Sequence, residues 1–368
     1  MARSNENTRH SKYVVRIVCE GEKTEPLFFT SLCDLYYRDC DDMDVRTIPQ
    51  PNIPQDEEAG NSSRGNYKGK RRKTKTHEEN PIDVVITGTP PLKWVQYARQ
   101  ILSEGVDESW AVYDKDEHPK HEEAFVEANK EIEGKKVNVA FSSRSFEYYL
   151  LLHFEYIYYP FDETECGERI NGNKHIFECG TGKNLDKDCG GRKCINGYAR
   201  SKGYWQQTKS SDSTFPIVKD KLIKGIINAC RLRAESDANT EEPVYCRNPY
   251  TNVDLLVGRL IGKLTVCYDT AYNYNEHGSN WSVQLSNDGL RVTNHKEGRE
   301  LFRKEMFSIY DWENNTGKDL IEKSLLLDNN STEVIPCELM PNEVIVISTV
   351  SNKEVLLLPK FEIQGFNP

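Results

Sequence analysis

The amino-acid sequence predicts an α/β fold: a parallel β-sheet with flanking helices, then a helical, Cys-rich segment, then a C-terminal β-rich domain. Two observations support this prediction. Short β-branched runs alternate with segments of helical periodicity over roughly the first 160 residues, as in chains of β-α-β units. After residue 264, apolar residues recur in short alternating segments between turn residues, which is typical of antiparallel strands.

Length and composition set the limits of this architecture. The chain has 368 residues, which at ~100–200 residues per domain predicts two or three domains. Hydrophobic residues make up 37% and charged residues 29%, so the composition is polar without being that of a disordered chain. The net charge of −10 argues against a general nucleic-acid coat protein and leaves room for a local basic site.

The sequence also predicts a cytoplasmic protein that does not enter a membrane. The first ten residues are polar and lack the apolar region of a signal peptide, and no run of ~18 apolar residues occurs. The 11 cysteines are odd in number and irregularly spaced, which favours reduced thiols or a metal site over a disulfide framework.

The first strand and helix are predicted from residues 13–35. The β-branched segment YVVRIVC, over residues 13–19, predicts a buried strand that ends at Glu20. Thr24 is the predicted N-cap of a helix whose first turn holds Glu25 and Pro26. The chain therefore opens as strand, acidic turn and helix.

A different composition marks residues 50–82, which are rich in Pro, Gly, Asn, Ser and charge. We expect a long disordered insertion in the first domain. Its basic core contains seven cationic residues: Arg64, Lys68, Lys70, Arg71, Arg72, Lys73 and Lys75. Two interpretations stay open, a solvated linker and a nucleic-acid-binding loop that contacts the phosphate backbone.

The remaining elements complete three predicted domains. In the first, over residues 10–160, we expect strands at 83–86, 109–113 and 137–141, and helices at 91–103, 122–133 and 146–158, the last capped by Ser145. The second, over residues 161–263, has predicted helices at 217–235 and 252–264. The third, over residues 264–368, has predicted strands at 282–285, 343–350 and 354–358. Its 9 basic and 16 acidic residues give 9 − 16 = −7, and we interpret it as a fold-completing, dimerising or protein-contacting domain.

Acidic residues follow two of the predicted strands. Glu20 comes directly after the first strand, and Asp114 and Asp116 come after the strand at 109–113. Because the carboxyl ends of parallel strands meet at one edge of a sheet, we expect these carboxylates to converge. Converging carboxylates repel one another unless a cation lies between them, and oxygen ligands select Mg²⁺ or Mn²⁺. The alternative is that they are ordinary turn and cap residues.

Three segments carry a resemblance to a known family. They read VCEGEKTEPLFF (residues 18–29), WAVYDKDEH (residues 110–118) and FSSRSFEYYLLLHFE (residues 141–155). The chain resembles the RloB-like proteins, which are bacterial accessory proteins of the Toprim superfamily found in restriction and phage-defence loci. The resemblance covers roughly residues 10–262. It implies a Toprim-like, Rossmann-like fold and metal-dependent phosphodiester chemistry, as in the related OLD-type nucleases.

The resemblance also implies roles for individual residues. Glu20 falls on the Toprim glutamate, and Asp114 and Asp116 fall on the paired aspartates, so that the three together would hold Mg²⁺. Glu25 falls on a second acidic position of the OLD-type nucleases. The spacing here is one residue longer, so Glu22 stays open as the alternative.

Further residues are candidates near this site. Arg144 lies in a segment that reads SSRS where family members often read SNPS, and it would contact a phosphate from a helix N-terminus. Glu147 is either a further metal or water ligand, or a partner of the helix dipole. Lys115 would offset the charge of the aspartates or contact a phosphate. His153 lies on a mostly apolar helix and is expected to be a buried core residue.

Four cysteines form a second cluster in the sequence: Cys166, Cys179, Cys189 and Cys194. Four thiolates would bind a structural Zn²⁺ and order a segment that has little core of its own. The segment has no Cys-x2-Cys pair, so unligated reduced cysteines are the alternative.

These features predict a Mg²⁺- or Mn²⁺-dependent endonuclease of a bacterial antiphage system that cuts DNA or RNA, such as tRNA. The chain has no phosphate loop, and the resemblance implies an AAA or SMC-like ATPase as a partner. A homodimer is also compatible with the sequence. The alternative is a non-catalytic subunit that binds nucleic acid or the ATPase.

Overall fold

The structure is a computed structural model that describes residues 12–48, 91–115, 118–165, 169–170, 173–174, 194–206, 214–351 and 353–361. Several predictions lie outside these residues: the basic insertion with its seven cations, the strand at 83–86, Asp116, and the cysteines Cys166, Cys179 and Cys189.

The described residues form both helices and strands. The α-helices are α1 (Thr24–Tyr37), α2 (Pro91–Ser103), α3 (His121–Ala128), α4 (Phe146–Leu152), α5 (Ile195–Lys202), α6 (Leu222–Asn239) and α7 (Val253–Ile261). Short 3-10 helices lie at Lys219–Lys221, Val244–Cys246 and Lys304–Met306. None of the helices in the described residues combines the length and apolarity that crossing a bilayer requires.

The strands are more numerous towards the C-terminus. In the first part they are β1 (Tyr13–Cys19), β2 (Met43–Ile48), β3 (Glu108–Asp114), β4 (Asn138–Ser143), β5 (Arg169–Ile170), β6 (Asn173–Lys174) and β7 (Tyr250–Thr251). The later ones are β8 (Lys263–Val266), β9 (Ala271–Glu276), β10 (Ser279–Ser286), β11 (Gly289–Asn294), β12 (Glu300–Phe302), β13 (Phe307–Asp311), β14 (Thr316–Asp319), β15 (Leu325–Leu327), β16 (Thr332–Ile335), β17 (Glu343–Ser348) and β18 (Glu354–Leu357).

A five-stranded sheet organises the first part of the chain in the order β2-β1-β3-β4-β7. The first four strands are mutually parallel, and the short β7 pairs antiparallel with β4. Side chains of β1 and β3 alternate between the two faces, since successive strand residues point in opposite directions. Ile17 and Val112 join the core on the side of α1 and α4, whereas Val18 and Ala111 join the core on the side of α2 and α3. The predicted α/β class, parallel sheet and helices on both faces are therefore confirmed.

The C-terminal part is β-rich, as predicted. It contains a sheet in the order β16-β11-β10-β9, a sheet in the order β14-β13-β17-β18-β8, and the pair β12-β15. In β17, Ile345 and Ile347 pack with residues of both sheets, whereas Val344 and Val346 pack with the core that contains α6 and α7. The strand β17 is thus buried on both faces.

Some predicted boundaries were wrong. Thr24 is the first residue of α1 and Lys23 is the N-cap, which makes no side-chain capping bond. The helix predicted over 146–158 ends at Leu152, with His153 as its C-cap. The helix predicted to reach residue 264 ends at Ile261, where Gly262 adopts a positive φ of 70° as the C-cap.

Candidate active site at the carboxyl edge of the parallel sheet

The carboxyl ends of β1 and β3 form the point where the winding of the sheet reverses. From β1 the chain runs through α1 on one face to β2, whereas from β3 it runs through α3 on the other face to β4. The two strands are direct neighbours, with Cys19 opposite Val112. Helices that leave towards opposite faces open a crevice between adjacent strand ends, which is where open α/β sheets bind ligands.

Glu20 and Asp114 lie together at this crevice. The main-chain N–H of Asp114 donates a hydrogen bond to Glu20 Oε2 at 3.0 Å. The N–H of Glu20 in turn donates to the carbonyl of Val112 at 2.9 Å, which continues the pairing of β1 with β3. Both residues are half-buried. The structure therefore brings these two predicted site residues into one place.

Glu25 folds back from the first turn of α1 towards the same turn of the chain. Only 6% of Glu25 is exposed, and its carboxylate lies against the α-carbon of Gly21, where any larger residue would place its Cβ. Glu22, by contrast, is exposed. Of the two alternatives for the second acidic residue, this placement favours Glu25. A larger residue at position 21 would displace the Glu25 carboxylate from this position.

The end of β4 and the start of α4 lie next along this edge. Asp114 is paired with Ser142, and the N–H of Lys115 donates to the Ser142 carbonyl at 2.8 Å. Glu147 in the first turn of α4 is 4% exposed. The peptide bond between Ser143 and Arg144 is cis.

Two serines around this turn have buried hydroxyls. Ser145 is the N-cap of α4 by position, but its hydroxyl makes no capping bond. The hydroxyls of Ser143 and Ser145 have no hydrogen-bond partner among the described residues. Buried hydroxyls are usually paired, so these two are polar groups that the described residues leave unsatisfied beside Glu147.

The side chain of Lys115 is held by the main chain of another segment. Its Nζ donates to the carbonyl of Cys246, and to that of Arg247 at 3.4 Å. Burial lowers the pKa of Lys115, and the positive charge of Arg144 lowers it further. In this position the ammonium ties the end of β3 to residues 246–247, so contact with a phosphate stays a prediction.

Sequence reasoning missed Asn252, which stabilises the sheet beside the site. Its Oδ1 accepts a hydrogen bond from the Phe141 N–H at 2.6 Å, and its Nδ2 donates to the Val139 carbonyl at 3.1 Å. The hydroxyls of Thr251 and Ser142 are also hydrogen-bonded, at 2.7 Å. The signal was present in the segment NPYTNVD, where a polar asparagine precedes an apolar helix, but its partners lie more than a hundred residues away.

The expectation that His153 is a core residue agrees with its position. The side chain is fully buried, and Nδ1 lies 3.0 Å from the carbonyl of Tyr149, so Nδ1 carries the proton and donates it. Burial lowers the pKa of His153 to about 4, which keeps the ring neutral at neutral pH.

Of the three carboxylates predicted to bind a hard divalent cation, the described residues include two. Glu20 and Asp114 lie at the same edge of the sheet, joined through the main-chain N–H of Asp114, and carboxylate oxygens are ligands that Mg²⁺ and Mn²⁺ prefer. No group of three His, Cys, Asp or Glu residues arranged to hold a metal occurs in the part of the chain that the structure describes. Asp116, the third predicted ligand, lies outside that part.

The described residues include only one of the four cysteines of the predicted zinc site. Cys194, at the start of α5, is 1% exposed, and the other three cysteines lie outside. The zinc site therefore stays a prediction.

The fold and the site together define an α/β protein with acidic residues at the switch point of its parallel sheet, which is the point where the winding reverses. The RloB-like protein family matches residues 15–260 of the chain. The chain therefore belongs to the RloB-like family. Comparisons with curated proteins and with solved structures found no match.

Proposed function

We propose that the chain is a metal-dependent phosphodiesterase, acting as an endonuclease with a Toprim-like site. The observation that supports this most directly is the hydrogen bond from the Asp114 N–H to the Glu20 carboxylate at the switch point of the sheet. Two acidic residues that meet at a ligand-binding crevice are costly unless they serve a cation. Membership of the RloB-like family agrees with this chemistry through the resemblance that the sequence carries.

The residues present would divide the work as follows. Glu20 and Asp114 would hold the ion, with Asp116 as the third ligand and Glu25 or Glu147 in support. When bound, Mg²⁺ or Mn²⁺ supplies Lewis-acid stabilisation of phosphate and lowers the pKa of water. The Asp114 N–H fixes the orientation of the Glu20 carboxylate before any ligand arrives, which reduces the reorganisation that catalysis would otherwise require.

The biological setting is part of the same proposal and rests on the resemblance. The protein would be an antiphage effector that cuts DNA or RNA, such as tRNA, in the bacterial cytoplasm. The basic residues between Arg64 and Lys75 would add electrostatic affinity for the phosphate backbone in an otherwise acidic chain. An AAA or SMC-like ATPase would control it.

A cleavage assay tests the proposal. Wild type, Glu20→Gln and Asp114→Asn are incubated with plasmid DNA and with total tRNA, in Mg²⁺, Mn²⁺ or EDTA, with and without the ATPase from the same locus. The matched control is Asp41→Asn, since this exposed aspartate lies just before β2, at the opposite edge of the sheet. We expect metal-dependent cleavage that falls at least about 10-fold in the two site variants and is unchanged in Asp41→Asn, because a lost metal ligand costs no less than a lost outer-shell partner.

The opposite result has a clear meaning. If no condition gives cleavage, and the site variants protect cells from phage as well as wild type does, the nuclease proposal is refuted. The non-catalytic subunit would then be the better interpretation.

A further inference from the structure

Two cysteines from distant parts of the chain meet at one place. Cys230 lies in the middle of α6, within the region that matches the family, and Cys267 directly follows β8. Their sulfur atoms are 3.7 Å apart. This separation is hydrogen-bonding contact between two thiols, and a small side-chain rotation would bring the sulfurs to bonding distance.

The two thiols are chemically unlike. Cys230 is buried, with 4% of its surface exposed, whereas Cys267 is exposed. A hydrogen bond joins the two thiols, and this bond, with the positive charge of Arg233, lowers the pKa of Cys267 to about 6. The same bond, together with burial, raises the pKa of Cys230. Cys267 is therefore the reactive thiolate at neutral pH, and Cys230 is the protected thiol beside it.

We propose that Cys230 and Cys267 are a redox-active pair that forms a reversible disulfide when the protein meets a peroxide. The Cys267 thiolate attacks hydrogen peroxide, taking one oxygen as a sulfenic acid and releasing hydroxide, which becomes water with one proton. The Cys230 sulfur then attacks the Cys267 sulfur, and the hydroxyl of the sulfenic acid leaves with the Cys230 proton as a second water. Both thiols are oxidised and the peroxide is reduced, so atoms and electrons balance.

The disulfide would fasten an interface that the reduced chain already makes. Along α6, Lys224 forms an ion pair with Glu313 at 2.6 Å, and the guanidinium of Arg231 lies 5.4 Å from the centre of the Phe361 ring. The contact of Cys230 with Cys267 lies on the same helix. Oxidation would add one covalent bond, between Cys230 and Cys267, to these non-covalent contacts between α6 and the C-terminal part. This inference is independent of the nuclease proposal, since it requires no activity.

Peptide mapping tests the pair directly. Full-length wild type, Cys230→Ser and Cys267→Ser are treated with hydrogen peroxide, alkylated and digested with trypsin. Cys246→Ser is the matched control, because Cys246 is also exposed. We expect peptides 225–231 and 264–291 to be joined with the loss of two hydrogen atoms in wild type and in the control. The joined species should be absent from the other two variants and should disappear on treatment with dithiothreitol.

A second measurement addresses the reactivity of Cys267. Cys230→Ala removes the hydrogen bond, so alkylation of Cys267 by iodoacetamide at about pH 6 should become about tenfold slower. In this variant the pKa of Cys267 should return towards ~8.5. The resulting loss of thiolate at about pH 6 outweighs the gain in nucleophilicity of the remaining thiolate. The proposal is overturned if peroxide leaves both thiols reduced, oxidises Cys267 further without joining it to Cys230, or joins Cys267 to another cysteine.

Discussion

His153 should make the folded chain less stable as the pH falls below about 6.5. The ring is fully buried in α4, with Nδ1 bonded to the Tyr149 carbonyl and Nε2 against the α-carbon of Gly225 in α6. Burial disfavours the charged imidazolium, and the nearby Lys221 ammonium adds to this effect. The folded-state pKa is therefore about 4, whereas the unfolded chain has the ordinary value of about 6.5.

The sign and size of the effect follow from proton uptake. Between about pH 6.5 and pH 4 the unfolded chain binds a proton at this site and the folded chain does not, so acid favours unfolding. One pKa unit corresponds to about 1.36 kcal/mol, so the loss is about 2 kcal/mol at pH 5 and roughly 3 kcal/mol at pH 4. Above about pH 6.5 the contribution does not change with pH, because His153 is neutral in both states.

Urea unfolding at several pH values measures this contribution when a non-titrating variant is compared with wild type. His153→Asn can keep a donor near the Tyr149 carbonyl and loses the titration. Both proteins will lose stability in acid through their carboxylates, so the relevant quantity is the difference between their curves. The unfolding free energy of wild type minus that of His153→Asn should fall by about 2 kcal/mol from pH 7 to pH 5, because only wild type carries the His153 titration. Parallel curves over this range would show that His153 takes up its proton equally in both states and would refute the reasoning.

Three further predictions concern positions where the backbone is closely approached. Gly21→Ala places a Cβ where the Glu25 carboxylate lies. Any metal-dependent cleavage should therefore fall, while the urea midpoint of unfolding changes little. Full activity would mean that Glu25 does not act from this position. Gly225→Ala places a Cβ 2.5 Å from His153 Nε2, and overpacking of two buried helices should cost about 1–3 kcal/mol of unfolding free energy, with an unchanged midpoint as the contrary result. Asn252→Ala leaves a main-chain donor and acceptor of β4 unpaired, which should cost about 2 kcal/mol in the same assay; a loss under about 0.5 kcal/mol would mean that water replaces the amide.

Parts of the fold could be predicted because local signals agree with the tertiary structure. The run YVVRIVC is apolar and β-branched between polar neighbours, and β1 covers the same residues as predicted. The helix α2 also has its predicted limits, with Pro91 at its first position and Gly105 shortly after its end. Glu20 and Asp114 could be placed at one edge from strand order alone, because parallel strands end together.

Other parts depend on contacts that lie far apart in the sequence. β2 has the half-polar sequence MDVRTI, in which the alternation of apolar and polar residues covers only residues 43–46, and it is ordered by pairing with β1. The segment after α4 is as rich in large apolar and aromatic residues as α4 itself, so the pattern could not show that the helix ends at Leu152. There the chain turns back, and the Tyr148 hydroxyl donates to the Ile157 carbonyl at 2.8 Å. The role of Asn252 was likewise invisible, since an asparagine reveals no partner 111 residues away.

The family match ends at residue 260, in the last turn of α7, but the hydrophobic core does not end there. Val344 and Val346 of β17 pack into the core that contains α6 and α7, whereas Ile345 and Ile347 pack into the core between the two C-terminal sheets. A strand buried on both faces needs consecutive apolar residues, which explains the unbroken apolar run VIVI over residues 344–347 of β17. Just before α7, Asn252 holds the edge of β4 beside the acidic site. Packing is therefore continuous from the C-terminal sheet through α7 to the edge of β4 beside the site, so the C-terminal part supports the strand that borders Asp114.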